Sequence, residues 1–562
     1  MGGERLLYFM RTSLKRTATH PRVPLNITPV SLMWPRGRPA APPTSAAPSQ
    51  WESDLGLADL ARALSSDARY GAYIRGALAA LTSDPEVIGW RQAVMADFVQ
   101  NPALAERVEA LLPRLAALRG SGYLFGGRKR NLLLEASDRL SELELYTGMV
   151  AALHDILTGI PLASPALTTL RADLGALLTD ENFQKLRDEL PSLRAPLENI
   201  RSLTIGINLD DQLHPTSAAL LAVNNTPITE ARSLLDRLLG SGANEGDESA
   251  IAPLHYTPAD PDERQLSPLF RDLDKLMTQV AQPVARALTG YVKVNTASLA
   301  SLEEELAFFA SAARLMAKLS ARGVPFCRPE IAPPDANVTH INGLVNIHLA
   351  LRSADAPVPN DARFDDDGRI ALLTGPNSGG KTTYLQAVGL AQALFQAGLY
   401  VPARAAVMSP VDAVFTHFPA LETRQQGRLA EEAARLRTIF AHVTGRSLVL
   451  LNETFSSTSS GEALYLAQDM LCGLRSAGAR AIFATHLVEL VTQVDEIEAA
   501  VPGESRLYSL VAGVERRDDG EFAPTHRITR GAPLGRSYAQ EIARQHGISL
   551  DQILAELRRR GG

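Results

Sequence analysis

The tightest constraint on this chain is "LLTGPNSGGKTTYLQAVGLAQAL" (372–394), an apolar run, a glycine-rich turn and a helix-forming stretch in immediate succession. Within it, Gly375, Gly380, Lys381 and Thr382 satisfy G-x-x-x-x-G-K-[ST]. The pattern needs a strand to carry the turn and a helix to receive it, which commits this part of the chain to an α/β sheet. Glycines let backbone N–H groups close around phosphate oxygens, and the helix N-terminus adds a positive dipole. Lys381 is placed to reach the β- and γ-phosphates and Thr382 to offer a hydroxyl to Mg²⁺. The loop Gly375, Pro376, Asn377, Ser378, Gly379, Gly380, Lys381, Thr382 and Thr383 is therefore the candidate nucleotide-binding segment.

A phosphate loop that hydrolyses nucleotide needs an acid at the end of a neighbouring strand. "SLVLLNE" (447–453) ends in Asn452 and Glu453. Asn452 offers an oxygen without charge, whereas Glu453 can act as a base towards an attacking water. A third run, "RAIFATH" (480–486), ends in His486, a polar residue placed to sense a γ-phosphate. Short apolar runs that end in polar residues, with helical segments between them, predict a mostly parallel buried sheet. "RLYSLVAGVE" and "FAPTHRITRG" around Asp518-Asp519-Gly520 predict a hairpin. "SYAQEIARQHGISLDQILAELRRR" reads as two helices broken at Gly547, the second capped by Ser549.

Upstream, from Trp51 to about Gly323, the texture is helical. Leu299, Leu302, Leu306, Phe309, Ala313 and Met316 recur at spacings of three and four, which predicts one core-facing stripe. "NPALAERVEALLPRLAAL" opens a helix with Asn101 as N-cap and Pro102 in the first turn. "SLTIGINLD" (202–210) interrupts the helices as a strand, and "GSGANEGDES" (240–249) reads as a flexible loop. With 562 residues the chain exceeds the size of a single core, about 250–300 residues, so several domains are expected. We divide it into a disordered or over-extended tail (1–50), a helical region (51–323), a phosphate-loop α/β domain (324–530) and a two-helix tail (531–562). The first fifty residues are rich in Pro, Ala and Arg, and Glu4 is the only acid before Glu52. A net charge of −6 gives no strongly basic surface that would by itself imply nucleic-acid binding. Two distant cysteines without metal-ligand spacing fit a reduced compartment. No apolar run approaches the ~18 residues of a membrane span, so a cytoplasmic chain with no membrane partner is expected.

"TGPNSGGKTTY", "SLVLLNETFSSTSS", "FATHLVEL" and "GAPLGRSYAQEIARQHGIS" together resemble the MutS family of ATPases. "VPND" (358–361) and "GLYVPARAA" (398–406) look like the family too, and "DPEVIGWRQAVMADF" (84–98) is similar to part of its helical core. The resemblance implies a helical core with lever helices at 51–323, ATP as the nucleotide and Mg²⁺ as its metal. It implies that Gly375 to Thr382 hold the ATP phosphates, that Thr382, Asn452 and Glu453 surround the metal, and that Glu453, His486 and Lys381 carry the chemistry. Asn360 would stand near the adenine, Glu432 in a trans-signalling helix, and "SSTSS" (456–460) in a loop that passes signals across a dimer. The two-helix tail would serve dimerisation.

The chain departs from the family pattern in several places. Asn452 stands where the family has Asp, so weaker Mg·ATP binding or slower turnover is expected. The family's Gly-Arg-Ser-Thr-Phe stretch is replaced by "QQGRLAEE" (425–432), which leaves shared sites across a dimer unsupported. No Phe is followed two positions later by Glu, so the mismatch-reading wedge and its domain are expected to be absent, as is a C-terminal nuclease domain. The expected function is that of a dimeric, ATP-gated clamp acting on DNA in repair or recombination other than direct mismatch recognition, with a candidate phosphate contact at Arg128, Lys129 and Arg130. That triplet also reads as a solvated basic loop. The alternative is a nucleotide-dependent switch acting on a protein or a ribosome/RNA partner. Other phosphate-loop ATPases with helical arms would need a Leu-Ser-Gly-Gly signature, which the sequence does not contain.

Overall fold

The computed structural model describes residues 30–38, 49–123, 132–198, 200–213, 215–227, a scattered set between 282 and 296, and then 297–419, 428–456, 458–516, 522–533, 544 and 547–560. Helices α1 (Gln50–Asp54), α2 (Leu57–Leu64), α3 (Ala68–Ala79), α4 (Pro85–Gln100), α5 (Pro102–Tyr123), α6 (Leu132–Thr158), α7 (Pro165–Thr179) and α8 (Glu181–Glu198) precede the strands β1 (Ser202–Leu209) and β2 (Pro215–Asn224). Next come α9 (Ala297–Ala300), α10 (Leu302–Ser320), β3 (Glu330–Ile331), β4 (Thr339–Leu344), α11 (Ile347–Arg352), β5 (Asn360–Phe364), β6 (Ile370–Thr374) and α12 (Lys381–Gln396). The rest is β7 (Ala405–Met408), β8 (Val414–His417), α13 (Arg428–His442), β9 (Leu448–Asn452), α14 (Ser460–Ala477), β10 (Arg480–Ala484), α15 (Glu489–Thr492), α16 (Val494–Ala500), β11 (Leu507–Arg516), β12 (Phe522–Arg530) and α17 (Leu550–Arg560). No described helix is long and apolar enough to cross a membrane.

The chain forms two compact units. Among the described residues, one is drawn from Leu111–Asp155 and Arg171–Ser301. Its helices meet through Leu140, Leu143, Tyr146 and Met149 on α6 and Phe183, Leu186 and Leu190 on α8, all buried; Tyr146 packs edge-on to Phe183 at 6.3 Å. The buried Glu142 is satisfied by Arg139 (2.6 Å) and by the Thr296 hydroxyl (2.6 Å), as a carboxylate removed from water must be. The expected strand at 202–210 is present, and it pairs antiparallel with β2, which the sequence pattern did not reveal. The region expected to be all-α therefore contains a hairpin, and that hairpin exposes Ile207, Leu209, Leu213 and Leu221.

The other unit comprises Val30–Ala110, Ile156–Leu170 and Leu302–Gly562. Compactness thus divides the chain elsewhere than at the change in sequence texture near 323. The reason is packing: α1–α4 and α10 bury their apolar residues together with α12 of the nucleotide domain. Gln386 donates to the Asp54 carbonyl, and Arg91 donates to the Gln396 carbonyl at 3.0 Å. The α10 stripe is buried as expected, but Ala307, Phe308, Ala310, Leu315 and Leu319 are buried too. The buried face is thus wider than the stripe, and the helix reaches solvent towards its C-terminal end, at Arg314, Ala317 and Lys318. Asn101 does not act as an N-cap. Its side-chain amide donates to the Asp97 carbonyl at the end of α4, while Pro102 begins α5 as expected.

Part of the stretch expected to be a disordered tail is built into this unit. Leu32 and Met33 are fully or almost fully buried. Glu305 accepts from the Ser31 hydroxyl and the Leu32 amide, Arg91 donates to the Met33 carbonyl and its guanidinium lies 4.6 Å from the Trp34 ring. Burial pulls the Arg91 pKa down to about 10, so the group still carries its charge near neutrality. Residues 1–29 and 39–48 lie outside the described residues, as does the first of the two expected C-terminal helices apart from Arg544. The second expected helix is α17.

A six-stranded sheet runs β12-β11-β6-β10-β9-β8. Its five strands from β11 to β8 are parallel, and β12 closes the edge antiparallel to β11. Every residue of β6, β9 and β10 is buried, which is why these runs are continuously apolar rather than alternating. A four-stranded sheet, β3-β7-β4-β5, lies in the same unit. Arg480, fully buried on β10, ties the two sheets together by donating to the Thr339 hydroxyl (2.8 Å) and to the Val338 and Ser409 carbonyls (3.1 and 3.3 Å). Burial pulls its pKa down to about 9. Replacing Arg480 with Met removes three charged hydrogen bonds from the core and leaves the buried Thr339 hydroxyl without its donor, and the urea midpoint should fall by the equivalent of about 3 kcal/mol, the scale of charged hydrogen bonds lost in a core. A change within experimental error would show that the bridge between the sheets contributes nothing.

Candidate nucleotide site

The parallel register brings three strand ends together. Thr374 ends β6, Asn452 ends β9 opposite Ala484, and Ala484 ends β10 opposite Leu373. The glycine-rich loop leaves β6 with Gly375 at φ 137°, passes Ser378 at φ 64° and enters α12 through Gly380 at φ 95°. A Cβ on Gly375 would lie 2.7 Å from the Ala512 Cβ and about as close to its backbone. No side chain fits there, and the loop must run against β11.

Lys381, almost fully buried, donates from Nζ to the Gly375 and Pro376 carbonyls (3.0 and 3.2 Å) and lies 3.8 Å from the Glu453 carboxylate. Burial lowers its pKa, and the Glu453 charge opposes that shift. Thr382 Oγ1 donates to Asn452 Oδ1 at 3.2 Å. Asn452 thus keeps the acceptor role that a carboxylate would have, without the charge. Glu453 Oε1 lies 3.0 Å from His486 Nε2. The sequence placed these two side chains at the ends of two strands, and the fold puts them in direct contact. The donor set that surrounds Thr382, one hydroxyl, one amide oxygen and one carboxylate, consists of hard oxygens, which suits Mg²⁺.

Lys381, Thr382 and Glu453 line a cleft of about 750 Å³ together with Asn377, Ser378, Leu349, Val358 and Asn360; Asn452 and His486 are not among its lining residues but contact Thr382 and Glu453, which are. Asn360 borders the cleft, but both of its amide groups engage β12: Nδ2 donates to the His526 carbonyl (3.0 Å) and Oδ1 accepts from the Ile528 amide (2.6 Å). It holds His526, which also lines the cleft at φ 57° in an irregular part of the β11–β12 pairing. No sequence signal marked His526, because a bulge in an edge strand leaves no periodic trace. Asn346, equally unmarked, caps α11 and donates to the Thr383 carbonyl at 2.8 Å. In the serine-rich loop, Thr458 and Ser459 both bond Glu462, and Ser459 caps α14. Arg128, Lys129 and Arg130, residues 420–427 and Ser457 lie outside the described residues.

A strand, a glycine-rich turn and a helix in this order, with a polar pair at the tip of the next strand but one, define the phosphate-loop class of nucleotide-binding α/β folds. Comparison with known sequences narrows the class. The family description for the MutS2 N-terminal domain matches residues 83–322, and that for MutS domain V matches residues 371–558. The chain belongs to the MutS family. Among relatives, a DNA mismatch repair protein MutS from Sorangium cellulosum is 35% identical over 291 residues, 47% of this chain and 31% of that protein. A DNA mismatch repair protein MutS 2 from Halobacterium salinarum is 37% identical over 200 residues, 35% of this chain and 22% of its own length. A MutS from Granulibacter bethesdensis is 27% identical over 509 residues, 84% of this chain. The chain spans only 22% to 52% of the length of these relatives.

Gly375→Ala should weaken binding of a fluorescent ATP analogue, measured by anisotropy, about 5- to 150-fold, because the added methyl displaces the loop from β11 at a cost of about 1–3 kcal/mol. Wild-type affinity in that variant would show that the close approach to Ala512 is not needed.

Proposed function

We propose that the cleft binds Mg·ATP and hydrolyses it slowly, and that the chain works as a dimeric, ATP-gated clamp on DNA in repair or recombination other than direct mismatch recognition. The observation that carries this reading is the convergence of Lys381, Thr382, Asn452, Glu453 and His486 at one end of a parallel sheet, beside a cleft large enough for a nucleotide. The loop's backbone N–H groups and the α12 N-terminus would hold the phosphate oxygens. Lys381 would exchange its present carbonyl acceptors for β- and γ-phosphate oxygens. Thr382, Asn452 and Glu453 would hold Mg²⁺, which when bound neutralises charge on the phosphates. Glu453 would orient a water in line with the γ-phosphorus and take its proton as the P–O bond to ADP breaks. His486, hydrogen-bonded to Glu453, would fix that carboxylate and meet the γ-phosphate.

Asn452 explains why slow turnover is expected. Losing one carboxylate beside the cation removes a favourable charge interaction without removing an oxygen. Asn452→Asp should therefore raise kcat about fivefold, the equivalent of roughly 1 kcal/mol of added charge interaction. Unchanged turnover in a steady-state phosphate-release assay would show that Asn452 is not a defect of the metal site. Lys381→Ala should abolish activity and serves as the control.

DNA and dimerisation are supported by family membership and by the names of the relatives. Self-association would involve α17, whose Leu550, Ile553, Leu554 and Leu557 are exposed. The alternative, a switch acting on a protein or a ribosome/RNA partner, is favoured by one observation: residues 200–227 carry Arg201 against Asp210 and Asp211 while exposing four large apolar side chains. Such a surface suits a protein better than a phosphate backbone. ATPase rates measured with duplex DNA, branched DNA and RNA discriminate between the two. Stimulation by a DNA that fades with salt supports the clamp, and indifference to every polymer sinks it in favour of the protein partner.

A further inference from the structure

Glu453 and Phe455 both stand in the left-handed backbone region, at φ 50° and 68°, on either side of Thr454. For side chains of this size such a conformation costs about 1–3 kcal/mol per residue and persists only where the surroundings impose it. Three contacts impose it here. The Glu453 amide donates to the Ala484 carbonyl at the tip of β10 (2.8 Å). The Thr454 hydroxyl lies 3.0 Å from His417 Nδ1 at the tip of β8, both side chains being buried. The Phe455 amide donates to Glu432 Oε2 on α13 at 2.9 Å, and both of these residues are buried as well.

An ordinary strand-to-helix turn satisfies its polar groups locally or in water. This one is tied at three successive residues to three different elements, and Thr454, Phe455, His417 and Glu432 are all buried. We propose that His417 and Glu432 are positioning residues for Glu453, a buried clamp that fixes where the carboxylate stands relative to the phosphate loop. A shift of His417 or of Glu432 therefore moves the turn and with it Glu453. The functional consequence rests on the ATPase reading given above; the clamp itself does not.

The test compares His417→Ala, Thr454→Val, Glu432→Leu and Glu432→Gln with the wild type. The near-isosteric Thr454→Val guards against a folding failure in His417→Ala, and Glu432→Gln retains an acceptor oxygen for the Phe455 amide. His417→Ala, Thr454→Val and Glu432→Leu should lower kcat on the order of 10- to 100-fold, the effect of misplacing a reacting group by about 1 Å. Affinity for a fluorescent ATP analogue measured without Mg²⁺ should stay within about twofold, since the loop and Lys381, which would hold the phosphates, are untouched. Glu432→Gln should keep most of the wild-type kcat. Amide exchange at 453–455 should quicken in the first three variants while β6 and β9 stay protected. Unchanged exchange at 453–455 overturns the clamp. Quickened exchange with wild-type kcat, or equal losses of affinity and kcat, overturns the positioning role. If the wild-type chain hydrolyses no ATP, the ATPase reading falls and the exchange measurement alone decides the clamp.

Discussion

The parallel ladder of β6, β10 and β9 is the constraint on which the rest of this unit depends. In a parallel pair every strand ends on the same side, so loops that are distant in sequence are forced to share one edge. Ile370↔Ala481 and Leu448↔Arg480 set the register, and a slip of one residue on any of the three would move Lys381, Asn452 or His486 out of reach of the others. The apolar interior that fixes the register is therefore also what assembles the polar site. Arg480 is the exception that supports the rule. It is a charge inside that interior, tolerated because carbonyl and hydroxyl oxygens of the second sheet surround its guanidinium.

The polar edge is built from backbone conformations that most residues avoid. Gly375, Ser378, Gly380, Glu453, Phe455 and His526 all have positive φ, and all lie at the cleft or within a few residues of it. Strain of this kind collects where the surrounding fold can hold it, and here a rigid sheet does so. The charge arrangement is equally economical. One carboxylate, Glu453, faces both the buried Lys381 ammonium and the His486 imidazole, while the neutral Asn452 binds the Thr382 hydroxyl.

The phosphate loop, the three buried strands and the closing hairpin were legible in the sequence, because a G-x-x-x-x-G-K-[ST] run between an apolar strand and a helix admits few folds. Glu453 and His486 could be placed at strand ends, but not against each other, since contact between the two depends on strand order rather than on chain order. Asn360 was identified as bordering the site, yet the hydrogen bonds that occupy it come from β12, across 166 residues of chain. His526 and His417 were not legible at all. A bulge and a buried histidine at a strand tip have no periodicity. Asn101 misled for a local reason: its side chain serves the helix that ends there instead of the one that begins.

The segment that holds Leu32, Met33 and Trp34 has a consequence for how the chain comes to be folded. Ser31 meets Glu305 across 274 residues, and Arg91 meets Gln396 across 305. At roughly 5–20 residues per second, a ribosome needs about 15–55 s to make the residues that lie between Ser31 and its partner. Throughout that time the Leu-Met-Trp stretch has only α4, through Trp90 and Arg91, to pack on, and the α10 side of its seat is missing. Residues that emerge early are thus among the last to find their place, which makes the nascent chain dependent on whatever shields that stretch while its seat is still being made.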